Sequence, residues 1–73
     1  MPGDATTLTI LVNGEPREIR EGQTIADLLC ALHLDPERLA VELDRRIVKR
    51  PAWPSTVLHA GSNIEIVQFV GGG

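Results

Sequence analysis

Tyrosine is absent from this 73-residue chain, and phenylalanine, tryptophan and cysteine occur once each. With so few aromatic rings there is no stacking surface for RNA bases and no aromatic-lined cofactor pocket. One cysteine, Cys30, cannot close an internal disulfide and fits a reducing compartment. Long apolar runs are missing too, which leaves neither a signal peptide nor a spanning segment. The expected location is the cytoplasm, with no membrane partner. Excess positive charge is also lacking: the formal net charge is −3, so nothing drives the chain toward nucleic acid. The cations that exist cluster locally at Arg45, Arg46, Lys49 and Arg50. Such a cluster is either a docking patch for an acidic partner or, more commonly, a solvated face.

The residue sets of conventional catalysis are absent as well. No Ser-His-Asp order, phosphate loop or metal-ligand spacing occurs, and His33 and His59 stand alone. Cys30 falls opposite the apolar stripe of its predicted helix, which places it at the surface without a local activator. The expectation is a protein that is no enzyme by itself and binds no metal or cofactor of its own.

What is present suits a small globular unit: 42% hydrophobic and 23% charged residues argue against disorder. The length predicts a single domain over 1–73, whose marginal core must come from efficient apolar alternation. Residues 1–6, with Pro2, Gly3 and Asp4, read as a loose leader. From Thr6 to Val12 the chain alternates, with Leu8, Ile10 and Val12 on one face and Thr7, Thr9 and Leu11 on the other. Asn13-Gly14 is a strong hairpin signal, because both central residues of a type I′ turn need positive φ. Glu15 to Arg20 returns as a second strand with Ile19 inward, and Pro16 sits where a missing donor is tolerable.

Thr24 reads as a helix N-cap, with Asp27 as the reciprocal partner of a short-armed capping box. Ile25, Leu28, Leu29 and Leu32 form one apolar stripe, and the helix should end near Leu32 or His33, before Asp35-Pro36. So short a helix needs a sheet to pack on. Leu39, Val41 and Leu43 predict a third strand, Ile47-Val48 a short edge segment, and Ile64 to Val70 the last strand. Between them, Pro51-Ala52-Trp53-Pro54 reads as an irregular turn that tucks Trp53 onto the core rim, and Thr56 to Leu58 as a short extended piece. A hairpin, one helix and further strands make an α+β sheet of four to five strands with the helix across one face. The first and last strands are expected side by side and parallel at its centre. That arrangement is the β-grasp, or ubiquitin-like, fold.

The end of the chain has two readings. Gly71-Gly72-Gly73 costs the most conformational entropy to order and so should fray as a flexible tail. Glycine also lacks a Cβ, and three extended residues reach about 10 Å, enough to thread a carboxylate into a narrow site on another protein. Beside the tail, Val67 and Phe69 should share the outer face with Glu65, and Val70 adjoins them. Exposed together they make an apolar patch of the kind that marks a partner site. The alternative is that Phe69 folds back over the sheet edge.

The chain from Leu8 onward resembles the sulfur carrier proteins of thiamine biosynthesis. The resemblance rests on Val12-Asn13-Gly14-Glu15, on Glu21 through Leu29 into the helix, and on Leu34-Asp35-Pro36-Glu37-Arg38. It continues through Val41-Glu42-Leu43, Ile47-Val48, Arg50, Trp53 and Gly61, then Ile64-Glu65-Ile66-Val67 and Val70-Gly71-Gly72-Gly73. Three turn positions depart from the pattern: Asp44-Arg45 replaces Asn-Gly, Gly61-Ser62-Asn63 replaces Gly-Asp, and His33 replaces a helix-ending glycine. The first of these predicts a looser turn or one of another type.

The resemblance implies chemistry at Gly73. A partner similar to the ubiquitin-activating adenylyltransferases would adenylate its carboxylate with ATP and magnesium. Sulfur from a cysteine desulfurase would then leave a thiocarboxylate for thiazole synthase to consume. Gly71 and Gly72 would supply the slim approach, Val67, Phe69 and Val70 the docking surface, and the carrier itself would be a monomer. Two relatives in fold and tail stay open. One is the small subunit of molybdopterin synthase, which is commonly longer with an aromatic-rich stretch absent here. The other is a ubiquitin-like modifier joined to lysines. A plain interaction domain with an inert tail is the third alternative.

Overall fold

The computed structural model describes residues 6–69, and the hairpin, helix and later strands that the sequence predicts are present within them, whereas Thr56 to Leu58 yields only an isolated bridge between Thr24 and Val57. Strands β1 (Thr7–Val12) and β2 (Glu15–Arg20) form an antiparallel hairpin through Asn13-Gly14. Both turn residues have positive φ, 51° and 84°, as a type I′ turn requires. Helix α1 (Ile25–Ala31) follows, then β3 (Leu39–Leu43), β4 (Arg46–Ile47) and β5 (Asn63–Gln68). Sheet order is β2-β1-β5-β3-β4, with β1 and β5 parallel and the other pairs antiparallel. This is the β-grasp arrangement, and β5 lies at its centre.

The helix is held at both ends by local chemistry. Asp27 N–H donates to Thr24 Oγ1 at 3.2 Å, and Thr24 N–H donates to Asp27 Oδ2 at 2.9 Å, which completes the capping box. At the other end His33 takes φ of 59°, its N–H donates to the Cys30 carbonyl, and Leu34 N–H donates to the Leu29 carbonyl. These two bonds form a Schellman motif, so His33 occupies the left-handed position that glycine usually fills. Across the N-terminus of the helix, Ile25 N–H donates to the Thr56 carbonyl and Leu58 N–H to the Gln23 carbonyl. That pairing draws Leu58 into the core, where it is fully buried beside Ile10, Ile25, Leu28, Val41 and Ile64.

Three expectations change. Residues Arg50–Ser55 form a 3-10 helix rather than an irregular turn, and Trp53 is a core residue rather than a rim one. Pro51 lies in the first turn, where no intrahelical N–H is needed, so proline does not prevent the helix. The indole N–H of Trp53 donates to the Val48 carbonyl at 2.8 Å, which satisfies its polar atom inside the core. The Asp44-Arg45 turn is also tight, not loose. Leu43 pairs directly with Arg46, and Asp44 and Arg45 both have positive φ, 51° and 72°. It is the same two-residue geometry as Asn13-Gly14, reached with a residue far less suited to it than glycine.

Thr6, last residue of the expected leader, accepts a bond from Glu21 N–H at 2.9 Å, beside the start of β1. No helix among the described residues is long and apolar enough to cross a membrane.

Candidate functional site

Strand β5 is bonded on both sides, so its alternation fixes which side chains reach the helix and which reach solvent. Ile64 and Ile66 face α1 and are buried. Val67 and Phe69 point the other way and are 55% and 56% exposed. Phe69 therefore does not fold back over the edge. Val67 sits opposite Ala40 of β3, and Phe69 N–H donates to the Arg38 carbonyl at 2.8 Å, so strand-like pairing runs to the last described residue. Val70, Gly71, Gly72 and Gly73, the other residues predicted for docking and for chemistry, lie outside the described residues.

The stem that presents this patch is clamped by a side chain. Leu11 N–H donates to the Ser62 carbonyl and Asn13 N–H to the Ile64 carbonyl, the regular rungs of a parallel ladder. The next rung comes from the Asn13 side chain. Its Nδ2 donates to the Ile66 carbonyl at 3.2 Å, and its Oδ1 accepts from Ile66 N–H at 2.7 Å. The turn residue thus stands in for a strand where β1 has already ended. It keeps β5 straight up to the residue before Val67.

The outer face holds more apolar surface than Val67 and Phe69. Ile47 of β4, opposite Glu42, is 75% exposed, and Leu11 of β1 is 37% exposed. Local alternation does not single out Ile47, because a two-residue strand has no pattern of its own. The signal was Val48, whose N–H donates to the Val41 carbonyl and whose side chain is half-buried, leaving Ile47 outward. Glu42 and Glu65 lie directly opposite each other on this face, an acidic row that runs from Ile47 toward the middle of the sheet. Like charges so placed destabilise the sheet slightly.

On the helix side, Ala26, Leu29, Cys30, Leu34, Pro36 and Trp53 line a groove of ≈ 250 Å3. Cys30 is exposed at its edge, as the helical wheel predicts. The lining lacks the convergent polar groups that orient a small-molecule ligand. Among the described residues, no three His, Cys, Asp or Glu side chains are grouped to hold a metal.

Comparison with known proteins gives this geometry a context. A family model described as the ThiS family matches residues 10–73. The crystal structure of a thiamine biosynthesis protein, ThiS, from Geobacter metallireducens superposes with a TM-score of 0.78 at 32% identity. It aligns with 90% of this chain and 100% of its own. A thiazole synthase of Magnetococcus marinus is 39% identical over 66 residues, 90% of this chain but 20% of that protein. The chain therefore spans one fifth of that relative's length. An uncharacterized protein, ycf40, of Porphyra purpurea is 32% identical over 90% of this chain and 93% of its own length.

Proposed function

This chain belongs to the ThiS family of thiamine-biosynthesis sulfur carriers, and we propose that it carries the sulfur as a thiocarboxylate on Gly73. The observation that supports this most is the reach of the family match, which runs through the glycine stretch to residue 73. A carboxylate is a poor electrophile with a poor leaving group, so activation must come first. A ubiquitin-activating-like adenylyltransferase, using ATP and magnesium, converts it to an acyl adenylate and divides one hard substitution into two easier ones. Sulfur from a cysteine desulfurase persulfide displaces AMP. A thiol then reduces the resulting sulfur–sulfur bond and leaves the thiocarboxylate.

The acceptor in this reading is thiazole synthase. A relative bearing that name contains a stretch similar to this chain within its own polypeptide, which supports the pairing. The carrier supplies no catalytic group; it supplies a presented atom. Gly71 and Gly72 let the carboxylate enter a narrow site, and Val67 and Phe69, with Val70, dock the stem outside it. The persulfide and thiocarboxylate chemistry belongs in a reducing compartment, in keeping with the cytoplasm.

The test is the intact mass of the protein after incubation with ATP, a sulfur source and a cognate adenylyltransferase. The expected result is one oxygen replaced by sulfur, mapped to Gly73. Deleting Gly72 and Gly73 should abolish the shift and leave the circular dichroism spectrum unchanged, because the core residues all lie between Ile10 and Ile66. No shift in the wild type with a competent partner would overturn the carrier chemistry.

A further inference from the structure

The chain has seven cationic side chains, and four of them fall between residues 45 and 50, a segment without a carboxylate. The other three share the chain with ten acidic residues. Arg45, Arg46, Lys49 and Arg50 are all exposed, and among the described residues no carboxylate lies within ion-pair distance of them. In their midst stands Ile47, the most exposed large apolar side chain described.

An edge strand needs protection from stray pairing, and cations supply it. That need does not account for this edge. The opposite edge, β2, is blunted by Pro16 and by charges of both signs, and its one large apolar residue, Ile19, is buried. Strand β4 instead leaves an isoleucine in solvent. It also places Arg45 at φ of 72°, where glycine would be easier.

The segment is rigidly presented as well. Arg46 pairs with Leu43, Val48 N–H donates to the Val41 carbonyl, and the Val48 carbonyl accepts from the buried Trp53 indole. Ile47, opposite Glu42, and Val67, opposite Ala40, share the outer face, so the two apolar positions lie on a diagonal two residues apart along β3. Neighbouring strands lie about 4.8 Å apart, so one partner surface can span both. We propose that the β4 edge is a second docking zone, in which Ile47 seats in an apolar site and Arg45, Arg46, Lys49 and Arg50 meet carboxylates on the sulfur acceptor, a thiazole synthase. The inference rests on the carrier reading above. Because Glu42 and Glu65 continue the row from Ile47 toward the middle of the sheet, the complementary carboxylates lie beyond β4 rather than over that middle.

Titration of the full chain with a cognate thiazole synthase, across a range of salt concentration, tests this. The double variant Lys49→Glu, Arg50→Glu should weaken binding about tenfold at low salt and flatten its salt dependence. Arg45→Gly separates the two roles of the turn: its thermal midpoint should rise while its affinity falls a few-fold. Sulfur loading by the adenylyltransferase should match the wild type in both. Unchanged affinity in both variants, with wild-type protein binding normally, would overturn the docking zone and leave the carrier reading intact. Loss confined to the adenylyltransferase would overturn the choice of occupant. A wild type that takes up no sulfur and binds no thiazole synthase would remove both readings.

Discussion

The two faces of the sheet are built from the same strands and follow opposite rules. On the helix side, Ile10, Val41, Ile64 and Ile66 close a core under α1. On the other side, Val67, Phe69 and Ile47 stay in water although each is as apolar as the core residues of the inner face. Ile66 is 9% exposed and its neighbour Val67 55%. One step along β5 thus takes a side chain from the core to solvent. In a chain this short the outer apolar residues are lost to the core, so their retention is informative.

The strongest way to break the comparison is on the buried side. Ile64→Ala removes methyl groups from a site with no exposure at all, and such truncations cost about 2–5 kcal/mol. Small domains hold only about 0.05–0.15 kcal/mol per residue in total. The variant should therefore be largely or wholly unfolded at room temperature in modest denaturant, as read from a urea melt. A melt within about 0.5 kcal/mol of wild type would mean that the core tolerates a cavity there, against the packing seen.

A smaller effect is expected at the clamp between the faces. Asn13→Gly keeps the positive φ of the turn and deletes the side-chain rung to Ile66. Leaving the Ile66 N–H and carbonyl without that partner should cost about 1–3 kcal/mol. The specific readout is amide hydrogen exchange. The Ile66 amide should lose protection while amides of α1 change only with global stability. Uniform change across the chain would show that Asn13 acts through the turn alone.

The clamp also marks where sequence reading stops. Thr24 with Asp27, Asn13 with Gly14 and the stripe of Ile25, Leu28 and Leu29 are legible because their physics is local: each partner lies within four residues. The parallel pairing of β1 with β5 follows from counting elements and asking how a lone helix can cover them. The Asn13–Ile66 bonds span 53 positions and have no local signature. The Asp44-Arg45 turn misleads for a related reason. Pairing of Leu43 with Arg46 dictates its φ values, and Asp44 Oδ1 recovers part of the cost by accepting from Asn63 N–H. Propensity yields there to tertiary structure. At Arg50–Ser55 two prolines suggest irregularity, yet the burial of Trp53 and its bond to Val48 reward a 3-10 turn. Of the candidate site, Val67 and Phe69 are readable from alternation, whereas Ile47 is readable only once the partner of Val48 is known.

The smallest stability effect, and the sharpest contrast with Ile64, belongs to Phe69→Asp. Phe69 is 56% exposed and its backbone N–H, not its ring, ties it to Arg38. The substitution should therefore leave the urea midpoint within about 0.5 kcal/mol of wild type. If the outer face is where the adenylyltransferase docks, placing a carboxylate in its apolar centre should weaken that complex on the order of tenfold or more, since aromatic anchors dominate such contacts. The two measurements must be made on the same sample, because a variant that loses both has merely lost its fold. Intact stability with intact affinity would move the docking surface off β5. Intact stability with lost affinity would show that the face left out of the core is the one the partner uses.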